Sequence, residues 1–211
     1  MKVMTKTRLM VWATACLLAL GLSAQAEENA PVEEGPYEIV AQVTDTLIEA
    51  AREHRESPDQ QAFDAKVLEA LEPVVAFDYI ARVVMGDYYQ QANAEQRERF
   101  NRLFKTGLVS TYAKGIATYA YSKIDVVEPS APVGDQRRVS VQQEVSHEGE
   151  KHRLSYSMAK NKDGQWKLIN LVLNGVNLGH SFSGQFNQLA TRHGGDIDTI
   201  IDRWDAQEAT N

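Results

Sequence analysis

Cysteine is almost missing from this chain: there is one, Cys16, among 211 residues. Beyond it the sequence offers no disulfide, no thiol nucleophile and no cysteine-based metal site. Positive charge is also scarce. Lys and Arg number 22 against 29 Asp and Glu, a formal net charge of −7. Three of the basic residues (Lys2, Lys6, Arg8) and none of the acidic ones fall in the first 26, so the chain from residue 27 onward carries −10. A protein this acidic has no electrostatic footprint for nucleic acid, and charge alone does not draw it to anionic lipid surfaces. A second long apolar run, an internal repeat and a low-complexity stretch are lacking too.

The basic start is followed by an apolar run from Leu9 to Leu22 and by Ala24-Gln25-Ala26. That order reads as a secretory signal peptide over residues 1–26: the core is too short for a membrane span, and polar sequence follows at once. A lipoprotein reading, with cleavage before Cys16, is disfavoured because Leu17 to Leu22 continue the apolar core. The expected location is the periplasm. Without residues 1–26 the chain keeps 185 of its 211 residues, enough for one domain with a real core. The organisation expected is a mobile lead-in over 27–35, a single domain over 36–205 and a tail over 206–211.

Helical spacing comes first. After Pro36, apolar residues recur through Tyr37, Val40, Val43, Leu47, Ile48 and Ala51. A second helix holds Phe63, Val67 and Leu71 and stops near Pro73. A third carries Tyr79, Ile80, Val83 and Val84, with Asp78 as its cap and Gly86 as its stop. Asn93 and Gln96 form a capping pair ahead of a long helix striped by Phe100, Phe104, Leu108 and Tyr112. Alternation then replaces helical spacing, with strands expected over 119–127, 137–145, 153–160 and 165–173 and turns at Gly149 and Asp163-Gly164. Two short helices follow, one with Phe182, Phe186 and Leu189, the other with Ile197, Ile200 and Trp204. Helices first and a strand meander afterwards give an α+β class: an antiparallel sheet of about four strands backed by helices.

Candidate chemistry is thin. His147-Glu148 and His152 bring to mind a zinc helix, but the histidines are five apart rather than four and flank an expected turn. Gly179-His180-Ser181-Phe182-Ser183 nearly matches a nucleophile elbow, yet its last glycine is a serine and the expected sheet is not parallel. Ser181 or Ser183 is better read as a helix cap. No carboxylate pair stands out for acid–base work. No catalytic residue, metal site or cofactor is therefore assigned. What the sequence does hold is an apolar and aromatic excess between Phe77 and Tyr121, where a cleft between sheet and helices suits a hydrophobic ligand. The pocket wall is expected from Phe77, Ile80 and Val84, from Phe104, Leu108 and Tyr112 one helical turn apart, and from the strand residues Val139, Val141, Leu154, Tyr156, Met158 and Leu168.

Three groups of residues carry a family resemblance across nearly the whole chain after residue 26. They are Phe77-Asp78, Ile80-Ala81-Arg82 and Met85-Gly86; Glu95-Gln96-Arg97, Phe100, Phe104 and Tyr112; and Trp166-Lys167-Leu168, Gly175-Val176, Gln185-Phe186 and Gly195-Asp196. In their order and spacing the chain resembles the MlaC/toluene-tolerance family of periplasmic phospholipid-binding proteins, the soluble component of an ABC-type lipid transport system. It departs at Asn170, where the family usually has Asp, at Asn177, where Ser is usual, and at His180-Ser181-Phe182, where an Asn-Tyr-Arg run is usual. The resemblance implies a deep apolar lipid pocket and a phospholipid carrier without chemistry of its own. It also implies partners: an outer-membrane lipoprotein/porin complex and an inner-membrane ABC transporter complex, between which lipid is shuttled to maintain outer-membrane asymmetry. Two other readings stay open, a hydrolase-type periplasmic pocket enzyme on a similar α+β scaffold and a small adhesion or chaperone module.

Overall fold

The computed structural model describes residues 34–205. The signal-peptide reading, most of the lead-in and the tail lie outside the described residues. Within them the chain forms α1 (Pro36–Glu56), α2 (Gln60–Leu71), α3 (Phe77–Met85), α4 (Tyr88–Gln91) and α5 (Ala94–Thr118). The strands β1 (Lys123–Val126), β2 (Arg138–His147), β3 (Glu150–Lys160), β4 (Trp166–Leu173) and β5 (Val176–Asn177) follow, and α6 (Leu178–Arg192) and α7 (Ile197–Arg203) close the chain. The five strands make one antiparallel meander in the order β1-β2-β3-β4-β5.

Local chemistry explains most of the boundaries. Pro36 occupies the first turn of α1, where its missing N–H costs nothing. Asn93 and Gln96 form a reciprocal capping box at α5, with Asn93 Oδ1 accepting from Gln96 N at 2.9 Å and Gln96 Oε1 accepting from Asn93 N at 3.0 Å. Gly86, at φ 54°, ends α3. The β2–β3 turn uses Glu148 and Gly149 at φ 48° and 87°, the left-handed pair that a two-residue hairpin loop requires.

The α+β class with an antiparallel sheet is as expected, and the structure adds a fifth strand, β5, whose two residues are too few to show alternation. Other expectations need correction. The stretch 119–122 is turn rather than strand, and α4 is a four-residue helix. Asp78 does not cap α3: Ala76 holds the cap position, and Asp78 lies in the first turn, where it favours the helix dipole and accepts from Asn101 Nδ2. Neither Ser181 nor Ser183 caps α6. Asn177 does, its Oδ1 accepting from His180 N at 3.1 Å.

The main core is helical and aromatic. Phe100 and Phe104 of α5, Phe182 and Phe186 of α6, and Trp204 interlock through tilted and edge-on ring contacts, with centroids 5.2 to 6.3 Å apart. A second cluster seats Phe63 and Val67 of α2 between Ala51 of α1 and Val109 and Ala113 of α5. A third lies on the sheet, where Val141, Met158 and Trp166 pack under Val40 of α1. The segment before α3 is pinned to the edge of β4: Leu168 N donates to Val74 O at 2.8 Å and Ala76 N to Leu168 O at 3.0 Å.

Candidate functional site

Between these clusters the packing stops, and a cavity of about 470 Å³ opens between the sheet and the helices. This is about three times the ~150 Å³ engineered apolar cavity that stays dry and takes up benzene, and it falls within the ~300–1,000 Å³ usual for ligand sites. One wall is helical: Leu47 and Ile48 from α1, Ile80 from α3, and Leu108, Tyr112 and Ile116 from α5, these last three lying about one turn apart. The other wall is the sheet, through Val145, Leu154, Leu171 and Leu173, while Val75, Phe77, Leu178 and Phe182 complete the enclosure. Many of these large apolar residues are only half-buried although they point inward; the surface they expose faces the cavity.

A bulge shapes the β4 wall. Ser157 pairs with Asn170 but Met158 pairs with Leu168, so Ile169 is an extra residue in β4. The alternation changes phase there, and Leu171 and Leu173 join Leu168 on the lining. Gly179 of α6 approaches β4 closely: its N–H donates to Asn170 Oδ1 at 3.1 Å, and a Cβ in its place would lie 2.6 Å from that oxygen.

Among the residues lining the cavity there is no Asp, Glu, Lys or Arg. Besides Tyr112 and Asn170, whose Oδ1 is taken by Gly179 N, the polar members fall into two groups. Thr44, Gln143 and Tyr156 are hydrogen-bonded to one another inside the protein. Burial pushes the Tyr156 phenol well above its ordinary pKa, so it stays a neutral donor. Tyr119, His152 and Asn174 sit toward the outside, where Asn174 and Gly115 are exposed members of the lining. Tyr119 is flanked edge-on by His147 and His152, with centroids 5.0 and 5.4 Å away. His152 Nδ1 accepts from Asn174 Nδ2 at 3.1 Å.

Seven of the twelve expected pocket residues line the cavity together: Phe77, Ile80, Leu108, Tyr112, Leu154, Tyr156 and Leu168. The structure places the other five elsewhere. Phe104 is fully buried one layer behind, against Phe182. Val84 belongs to the same helical core. Val141 and Met158 are filled over by Val40 and Trp166, and Val139 flanks that cluster beside a more polar depression. The reason is depth along the strand: alternation gives the face a residue points to, not whether that stretch of the face is covered. Residues not anticipated include Leu47 and Ile48, whose helical spacing was visible but unassigned, and Gln143, a polar residue on the inward face of β2.

Catalytic geometry is weak at this site. Ser181 lies inside the first turn of α6, its hydroxyl donating to Asn177 O at 3.3 Å. Ser122 Oγ and His147 Nδ1 are 2.8 Å apart, but the carboxylate nearest the far ring nitrogen, Glu148, stands off at 3.9 Å, beyond the hydrogen bond that orients a catalytic base. Among the described residues, no three His, Cys, Asp or Glu side chains come together as a metal site.

The family model described as "MlaC protein" matches residues 41–206. The toluene tolerance protein ttg2D of Pseudomonas putida is 32% identical over 179 residues, covering 82% of this chain and 81% of that protein. The intermembrane phospholipid transport system binding protein MlaC of Haemophilus influenzae is 28% identical over 178 residues, 82% of each chain. Among solved structures, the phospholipid-binding protein from Ralstonia solanacearum in complex with a phospholipid superposes with a TM-score of 0.73 at 22% identity, covering 83% of this chain and 97% of that one. At that identity the likeness is one of fold, and the fold is the same α+β arrangement.

Proposed function

The chain belongs to the MlaC family, and from that premise and the geometry of its cavity we propose that it is a non-enzymatic carrier of phospholipid. The acyl chains occupy the space between sheet and helices, and the polar head stays toward the outside, where Asn174 and Gly115 are exposed. The protein works in the periplasm and shuttles lipid between an outer-membrane lipoprotein/porin complex and an inner-membrane ABC transporter complex, which maintains outer-membrane lipid asymmetry. The reading is supported by a relative that is an intermembrane phospholipid transport system binding protein and by a protein of like fold that binds phospholipid.

The observation that carries this reading is an apolar cavity of about 470 Å³ with no charged Asp, Glu, Lys or Arg on its walls. Each buried methylene is worth about 0.8 kcal/mol, so two long acyl chains cost roughly 20 kcal/mol or more in open water. Free passage of lipid through water is negligible against that figure. A carrier must approach the bilayer in affinity without far exceeding it, or delivery stalls. An apolar wall that leaves the head outside meets both conditions.

Organic extraction of the protein purified from cells, followed by lipid mass spectrometry, tests the proposal. Diacyl phospholipid at a fixed ratio to protein is expected. Lipid-free protein from several mild preparations, unable to take up phospholipid from vesicles, would overturn it.

A further inference from the structure

The cavity ends in the same way on three separate elements. On β2 the lining residues are Gln143 and Val145; the next inward residue, Val141, is fully buried and off the cavity. On β3 they are His152, Leu154 and Tyr156; the next, Met158, is likewise buried and off it. On α1 they are Thr44, Leu47 and Ile48; one turn earlier, Val40 packs with Val141, Met158 and Trp166. The three terminal residues, Gln143, Tyr156 and Thr44, are joined. Tyr156 Oη donates to Gln143 Oε1 at 2.7 Å, Gln143 Nε2 donates to Thr44 Oγ1 at 2.8 Å, and Thr44 Oγ1 donates to Val40 O at 2.7 Å. Gln143 is the one buried polar residue among the described residues, at 3% exposure.

Resting on the carrier reading, we infer that this Tyr156–Gln143–Thr44 bridge is the floor of the cavity along α1, β2 and β3, with the β4 lining running on to Leu168 opposite Met158, and that it sets the longest acyl chain the protein accepts. An apolar floor would yield to a longer chain by shifting side chains aside, since methylenes pack against methylenes without preference. This floor does not yield in that way. A methyl group driven past it must part hydrogen bonds at a place from which the bound acyl chains exclude water, and each orphaned donor or acceptor there costs more than one added methylene returns. The network also braces Val40 against the sheet, so the filled stretch beyond it does not open.

The test uses the full protein stripped of lipid and titrated with synthetic diacyl phosphatidylglycerols whose saturated chains lengthen stepwise. Wild type is expected to gain affinity with length up to a limit and to lose it beyond. In the double variant Gln143→Leu/Tyr156→Leu, both polar partners become apolar, and Thr44 Oγ1, which loses the Gln143 donor, keeps its own bond to Val40 O. Its limit should move to longer chains, with affinity beyond the wild-type limit rising about tenfold for every two methylenes admitted. Thr44→Val, which removes only one hydroxyl from a half-buried position, should move the limit in the same direction by less, and it decides the matter if the double variant does not fold. Val145→Ala, on the wall farther out and paired across the sheet with His152 rather than with a floor residue, should change affinity for all lengths alike. Length profiles of the folded variants parallel to wild type would overturn the floor assignment while leaving the carrier reading intact. A wild-type protein that takes up none of these lipids would overturn both.

Discussion

One face of one sheet has two fates here. At one end, Val141 and Met158 are buried to 0% and 1% exposure under Val40 and beside Trp166. At the other, Val145, Leu154 and Leu173 look onto empty space. The residue types are alike and the alternation is continuous along β2 and β3. The difference lies in what stands opposite: the first turns of α1 reach down onto the sheet, whereas Leu47 and Ile48 farther along line the void. The cavity in this protein is therefore an omission of packing between sheet and helices. Its apolar wall residues are of the same types as its core, and they are told apart by depth alone.

A buried charge should separate the two ends most sharply. Val141→Glu places a carboxylate in close packing with no partner, at a cost of several kcal/mol, a large share of the ~5–15 kcal/mol that holds a typical domain together. The expected outcome is loss of the cooperative thermal transition in circular dichroism. Leu154→Glu puts the same charge on a wall that water can reach once the cavity empties. Its transition should survive at a lower midpoint while bound phospholipid falls to near zero. Equal collapse of both variants would place Leu154 in ordinary core and break the comparison.

Truncation gives the next largest contrast. Phe104 touches the rings of Phe100, Phe182 and Trp204, so Phe104→Ala is expected to cost about 3–5 kcal/mol in urea unfolding. Leu108, one turn along α5, already borders a void. Leu108→Ala should cost no more than ~1 kcal/mol, since the atoms it removes were only half out of the cavity. Its effect should appear instead as faster transfer of lipid to acceptor vesicles.

Gly115 sharpens the comparison from the other side. It stands within α5 on the cavity lining, and a Cβ placed there meets nothing within 4 Å. A helical glycine without a steric reason is destabilising by roughly 0.5–1 kcal/mol relative to alanine. Gly115→Ala should therefore raise the urea midpoint with little change in bound lipid. A fall in stability would mean that the surrounding chain closes over this position in solution.

The parts of this arrangement that were legible in the sequence are those written in local chemistry. The capping box at Asn93 and Gln96, the stop at Gly86, the hairpin turns and the stripe on α5 need only their neighbours in sequence. The pocket needed more. Phe77, Leu108, Tyr112, Leu154 and Tyr156 could be set on inward faces by periodicity, but nothing local distinguishes Val141 from Val145, since what covers each belongs to α1 a hundred residues away. Leu171 and Leu173 were hidden because the extra residue Ile169 resets the alternation. Gln143 carries no local signal of its place, and its partners Thr44 and Tyr156 are brought to it only by the folded chain. Residue type alone puts the cap of α3 at Asp78, two positions after the true cap Ala76, because a preferred capping residue stands just inside the helix that begins at Phe77.

The smallest expected effect concerns Ser181, the residue on which a hydrolase reading would rest. In a nucleophile elbow the serine projects from a strained turn at the top of a parallel sheet, beside a base and an oxyanion hole. Here the sheet is antiparallel, Ser181 sits in the first turn of α6, and its hydroxyl is turned back onto Asn177 O. Such a contact competes weakly with the helix's own hydrogen bonds. Ser181→Ala should change stability by no more than ~0.5 kcal/mol and should leave bound phospholipid unchanged. Ser122, whose histidine has no carboxylate within hydrogen-bond reach, is held to the same standard. A fluorophosphonate probe should label neither serine in the wild-type protein. Labelling that disappears in Ser181→Ala or Ser122→Ala would mean that the cavity wall does chemistry on what it holds. The half-filled face of the sheet would then have to be read as a substrate site rather than a place of passage.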